Sequence, residues 1–215
     1  MDSRLKAGDP AAATGVTVRR RRSPKGEERR EAILRAAMAR FAEDGFQNAS
    51  FAAIAQDAGL TLPGLIHHFP TKVDLLIALL ARRDVETDNV QDIHVTAWRQ
   101  FLRGLVDVVR RNMEIAEVVR AFAVLNVESL TRNHPAENWF IERTNALRQR
   151  FAMAIAEGIK SGEIRADVSA EAIAAELIAL MDGLQILWLR APDTVDMASI
   201  FGHHIERLIR HLEQA

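Results

Sequence analysis

The residues of this chain that could do chemistry are arranged to hold phosphate and read bases, not to break bonds. Residues 45–76 read GFQNASFAAIAQDAGLTLPGLIHHFPTKVDLL. In that stretch Thr61, Leu62, Pro63, Gly64, Ile66 and His67 form the outward face of a helix of about two turns. Leu62 and Ile66 stand at i and i+4 and share one side. Two exposed aliphatic groups there could touch thymine methyls in a major groove; the alternative is that one packs inward. Upstream, Arg19, Arg20, Arg21 and Arg22 form a basic run. It reads either as an arm that adds phosphate or minor-groove contacts or as a solvated tail. Bond-breaking signatures are missing: no HExxH, no glycine-rich phosphate loop and no GxSxG. His67-His68 and His203-His204 are adjacent pairs whose members point to different parts of a helix surface, so no metal site and no cofactor are expected.

The elements that must position those residues follow from local rules. Ser50 is a good N-cap, and Phe51, Ile54, Ala55 and Ala58 recur at helical spacing after it. Gly59 can take positive φ and end that helix. Thr61 caps the next one, with Pro63 tolerated in its first turn, and Pro70 stops it. Thr71 opens a further helix with Asp74 three residues on. A helix over 62–69 is too short to stand alone in water and survives only when packed on neighbours. Short helix, tight turn and short capped helix make the layout of a helix-turn-helix reader of DNA.

The same stretch resembles a family. From Ile33 to Leu76 the chain is similar to the DNA-binding domain of TetR-type (tetracycline-repressor-type) transcriptional regulators. The matching marks are AILRAAMARFAEDGF at 32–46, IAQDAG at 54–59, HHF at 67–69 and TK at 71–72, leading into DLL. The resemblance implies a homodimer on a near-palindromic double-stranded operator and a helical C-terminal domain that binds a small-molecule effector. It also implies roles: Ser50 and His68 as phosphate contacts, and Lys72 as a grip on the DNA backbone. Two positions depart from the pattern. Position 66 is usually tyrosine, whose hydroxyl bonds phosphate, and here it is Ile66; position 62 is often polar or basic, and here it is Leu62.

Bulk properties fit that reading. The chain has 215 residues, 48% apolar, with no cysteine and hence no disulfide. Its net charge of −1 hides an asymmetry. Residues 1–72 carry 12 Lys+Arg against 8 Asp+Glu, and the remainder carries 16 against 21. A basic end on an acidic body suits a DNA reader joined to a domain that does not touch DNA. No apolar run reaches the ~18 residues of a membrane helix, and the polar N-terminus has no signal core. The expected location is the cytoplasm, with no membrane partner.

The expected architecture is all-α. Residues 1–24 read as a disordered basic tail, 25–76 as a three-helix DNA-binding domain, and 77–215 as a helical bundle for ligand binding and dimerisation. Body helices are expected near 93–111, 114–131, 136–161, 169–190 and 194–213. The last two carry wide stripes: Ile173, Leu177, Leu180, Leu184 and Trp188 on one, Phe201, Ile205, Leu208 and Leu212 on the other. Either they meet a symmetry mate in a twofold four-helix interface or they are internal core. Candidate pocket residues are Trp98, Phe101, Met113, Phe122, Asn126, Trp139, Met181 and Gln185, each of which could equally be plain core. The lack of an obvious charged cluster points to a neutral or weakly polar ligand, while Glu128 and Arg120 near this region leave a charged ligand open. The reading is a ligand-released repressor. A transcriptional activator, an architectural DNA binder without ligand, and a helical enzyme are the alternatives.

Overall fold

A computed structural model describes residues 24–88 and 97–213, those from 83 to 88 as backbone alone. The Arg19–Arg22 run lies outside the described residues. The head begins with α1 (Pro24–Asn48), which buries Ile33, Leu34, Ala37 and Phe41 at helical spacing. Gly45 interrupts it at φ 72° and ψ 174°, a combination open essentially to glycine. Phe46 is thereby turned back into the head, 5.7 Å from the Phe41 ring.

The next two helices are defined by their caps. α2 (Phe51–Asp57) starts where Ser50 Oγ accepts from the Ala53 amide at 3.3 Å, and Gly59 beyond it sits at φ 69°. α3 (Leu62–His68) starts where Thr61 Oγ1 accepts from the Gly64 amide at 3.3 Å. Leu65 and Phe69 anchor it in the core. α4 (Lys72–Asp88) opens with a reciprocal box: the Thr71 amide donates to Asp74 Oδ2 at 3.0 Å and the Asp74 amide to Thr71 Oγ1 at 3.1 Å. Leu75, Leu76, Leu79 and Leu80 of α4 are fully buried.

The body contains α5 (Trp98–Glu114), α6 (Ala116–Glu128), α7 (Glu137–Lys160), α8 (Ala170–Arg190) and α9 (Met197–Leu212). Ser169 and Asp196 cap the last two. α5 packs on α9, α7 on α8, and α6 lies along α1. The described residues form two cores. One joins the inner faces of α5, α7, α8 and α9. The other fills the head and takes in Leu125, Ala136 and Phe140 from the body. The boundary expected after residue 76 therefore falls inside α4, and the head core runs on into the body.

α8 corrects one expectation. It is long and apolar enough, by length and composition, to cross a membrane. The reason is that it is apolar on two sides, one set into the core and one outward, which a search for a single unbroken run overlooks.

Candidate nucleic-acid interface and effector cavity

The outward side of α3 is open. Leu62 is 38% and Ile66 43% exposed, so neither packs inward. Thr61, Pro63 and His67 are exposed beside them, while Gly64 and His68 are half-buried. The His67 and His68 rings meet edge to face at 5.7 Å. Ser50 is exposed at the start of α2. Arg40 fixes that helix against α1 through a paired contact with Asp57, at 2.6 and 3.2 Å. Near the surface such a pair orients more than it stabilises.

Lys72 is placed differently from a free phosphate grip. Its Nζ donates to the carbonyls of Gln47 and Ala49 at 3.1 and 3.0 Å and stands 4.8 Å over the Phe46 ring. Burial pulls the ammonium below its ordinary range, and the charge of Glu128 acts against that. Two of its three donors thus tie the start of α4 to the α1–α2 connection. Long-range contact of this kind leaves no signal in a local TK pair.

Glu128, at the end of α6, belongs to the same cluster. The Phe46 amide donates to its Oε2 at 2.6 Å, so a body carboxylate satisfies an amide freed by the Gly45 break. A Cβ on Gly45 would collide with that carboxyl group. His134 completes the cluster, its ring edge-on to Phe46 at 5.3 Å and its Nδ1 accepting from the Ala136 amide at 3.2 Å. His134 Nε2 is buried with no partner among the described residues. Burial lowers the imidazole below its ordinary value, against the charges of Glu128 and Glu137.

Beyond this cluster, α5, α6, α7 and α8 line a cavity of about 190 Å³. Five of the candidate residues, Phe101, Phe122, Asn126, Met181 and Gln185, line it. The other three candidates are elsewhere. Trp98 is core at the far end of the bundle, donating to Glu163 at 3.2 Å. Met113 packs against the body core. Trp139 stands behind the wall, its ring against Phe140 at 4.7 Å and Phe122 at 6.1 Å. The lining also holds Asn112, Arg143, Thr144, Arg150 and Asp182. Arg143 and Arg150 come from α7 and Asp182 from α8, so these charged side chains line one cavity only in the fold.

The stripes expected to form the twofold face are turned inward. Ile173, Leu177, Leu184, Trp188, Phe201, Ile205, Leu208 and Leu212 are all buried in their own protomer, and Leu180 is half-buried against the same core. A side chain that fills its own core has no surface left for a partner. The outward side of α8 instead presents Ala172, Ala175, Ala179, Gly183, Ile186 and Leu187, with Ile200 exposed on α9. Small residues at helical spacing were the available signal for that face.

Comparison with known proteins matches both halves. Residues 33–79 fit the model of bacterial regulatory proteins of the tetR family, and residues 99–210 fit that of the C-terminal domain of BetI-type transcriptional repressors. The chain is 26% identical over 196 residues to the HTH-type transcriptional regulator TtgR of Pseudomonas putida, covering 83% of this chain and 88% of that one. It is 27% identical to the HTH-type transcriptional repressor AcnR of Corynebacterium glutamicum, covering 72% and 78%. A TetR regulator from Chloroflexus aurantiacus shares the fold, with a TM-score of 0.77, 23% identity, and 90% and 100% of the chains covered. A regulator from Saccharomonospora viridis, solved in complex with choline, aligns with a TM-score of 0.70 and 26% identity over 88% and 100%. The protein belongs to the TetR family of bacterial transcriptional regulators, ligand-responsive helix-turn-helix proteins that bind operator DNA as dimers.

Proposed function

We propose that the protein is a cytoplasmic repressor in which α6 carries the effector signal from the cavity to the head. One observation carries this reading: α6 lines the cavity with Phe122, Ala123 and Asn126 and, half a turn later, holds the Phe46 amide through Glu128. A ligand that prefers one setting of α6 shifts the population of head positions by its difference in affinity for the two settings. Only one of those settings matches two successive major grooves of a near-palindrome. α6 touches both cavity and head.

On DNA, α3 is the reading helix, with Thr61, Leu62, Pro63, Gly64, Ile66 and His67 toward the bases. Ser50 and His68 hold phosphate beside it, and Lys72 acts chiefly by fixing the angle of α4. The outward stripe of α8, with Ile200 of α9, forms the twofold contact, where Ala175, Ala179 and Gly183 allow close helix approach.

The test uses the full chain and an operator selected from random DNA. Metabolites are first screened for those that raise its melting temperature. Those compounds should also release the wild-type protein from the operator. In Glu128→Ala the thermal shift should persist while release is lost. A variant released as readily as wild type would sink the proposed route.

A further inference from the structure

The polar groups that the cavity wall leaves over decide what kind of ligand it can hold. Most of the wall is apolar, and Phe101, Phe122, Phe140 and Phe151 all line it. Phe101 and Phe151 meet edge to face at 5.4 Å. Walls of this kind hold a flat aromatic body, and a few polar groups fix its orientation. Four uncharged polar side chains share the lining: Asn112, Asn126, Thr144 and Gln185. Asn112 already interacts within the protein, and Thr144 is exposed. Asn126 of α6 and Gln185 of α8 remain, both half-buried.

Neither of these side-chain amides has a hydrogen-bond partner among the described residues. The Ser129 hydroxyl donates at 2.6 Å to the backbone carbonyl of Asn126 and leaves its side chain alone. Each amide offers two N–H donors and one carbonyl acceptor. A ligand that displaces water from them must therefore both accept and donate, or leave one side of the amide unpaired. The charged groups of the lining narrow the choice further. Arg143, Arg150 and Asp182 sum to one positive charge in excess, which disfavours a cation. A carboxylate would suit the arginines, but it only accepts, so Asn126 Oδ1 and Gln185 Oε1 would gain no donor. An uncharged group with donor and acceptor side by side meets both requirements.

We propose that the cavity takes an uncharged planar aromatic lactam, whose ring N–H and carbonyl are met by the side-chain amides of Asn126 and Gln185 and whose rings lie among the phenylalanines. A lactam presents its donor and acceptor on one edge, the arrangement that Asn and Gln side chains match with two parallel bonds on adenine. Asn126 stands two residues before Glu128, so the ligand is held by the same helix that reaches the head. The inference rests on the cavity being the effector site, and the experiment separates the two.

Three flat two-ring probes of similar size are compared by calorimetry on the full-length protein. Carbostyril is a benzo-fused lactam, coumarin has a ring oxygen in place of the lactam N–H, and naphthoate is an anion at neutral pH. Carbostyril should bind at least about tenfold more tightly than coumarin, whose ring oxygen leaves an amide carbonyl without its donor. Asn126→Leu and Gln185→Met keep much of the side-chain volume and remove the amides. Each should shrink the preference for carbostyril, and the double variant should abolish it. The wild-type ratio tests the proposal even where a variant no longer holds its operator. Equal binding of carbostyril and coumarin by the wild type, tightest binding by naphthoate, or a preference that survives in the double variant would each overturn the lactam while leaving the cavity as a binding site. Binding of none of the three, in protein that still holds its operator, would overturn the cavity reading and the lactam with it.

Discussion

The two ends of α6 are built in opposite ways. At the hinge, Glu128, Phe46, Lys72 and Gly45 fit without spare room, and the Phe46 amide and the Lys72 ammonium both have named acceptors. At the cavity the same helix faces about 190 Å³ of space. A tightly packed end transmits displacement, because packed interiors are not continuously deformable. An open end has few contacts to lose and can be reset by a ligand. On the proposed route, having both on one 13-residue helix is what lets a small event at one end act at the other.

The largest expected effect comes from loosening the closed end. Gly45→Ala forces a residue with a Cβ into φ 72°, ψ 174° and pushes the Glu128 carboxyl group off the Phe46 amide. Backbone strain and a lost charge-assisted hydrogen bond together should cost about 3 kcal/mol. For a protein of this size the melting temperature should fall by roughly 10 °C. A change of a degree or less would show that the hinge is not closed in solution. The matching change at the open end is Phe122→Ala. Phe122 is half-buried on the cavity wall, so its loss enlarges existing space and leaves less of a new void. The stability loss should be about 2 kcal/mol, less than a fully buried phenylalanine costs, while effector affinity drops and operator affinity holds. A larger stability loss than that of Gly45→Ala would reverse the comparison.

Legibility in the sequence divides along the same line. Ser50, Gly59, Thr61 and the Thr71–Asp74 box act within four residues of themselves, so the head helices could be read from the chain with their ends nearly in place. The body helices followed from apolar spacing. What could not be read were meetings between distant segments. Glu128 reaches Phe46 across 82 positions, and Lys72 reaches Gln47 across 25. Asp182 and Arg143 face one cavity from different helices. The inward turn of Leu177 and Phe201 was equally hidden, since a wide apolar stripe does not say which of its sides meets the core.

The reading face offers a smaller effect that touches neither end. Leu62→Ala and Ile66→Ala remove exposed methyl groups, so the fold should keep its melting temperature within a degree or so. Each should relax base preference at one operator position by about 1 kcal/mol, roughly fivefold, without changing the salt dependence of binding. Selection of bound DNA from a random pool measures this directly. An unchanged base profile in both variants would assign specificity to other side chains of α3.

The smallest effect returns to the hinge through pH. Burial holds the His134 imidazole below its ordinary value of 6.5, so the folded protein resists the proton more than the unfolded chain does. Unfolding therefore gains protons as pH drops, and the sign is fixed by linkage. Stability should be complete above about pH 6.5 and should decline from there down toward the lowered folded value. A window of about pH 5.5–7.5 spans that change and lies above the ordinary range of carboxylates. His134→Asn is the informative control: its side-chain oxygen can still accept from the Ala136 amide, but it does not titrate in that window. The wild type should lose stability across the window in denaturant unfolding, and the variant should lose less. If both lose the same amount, the proton is taken up elsewhere and the hinge is not the acid-sensitive end of α6.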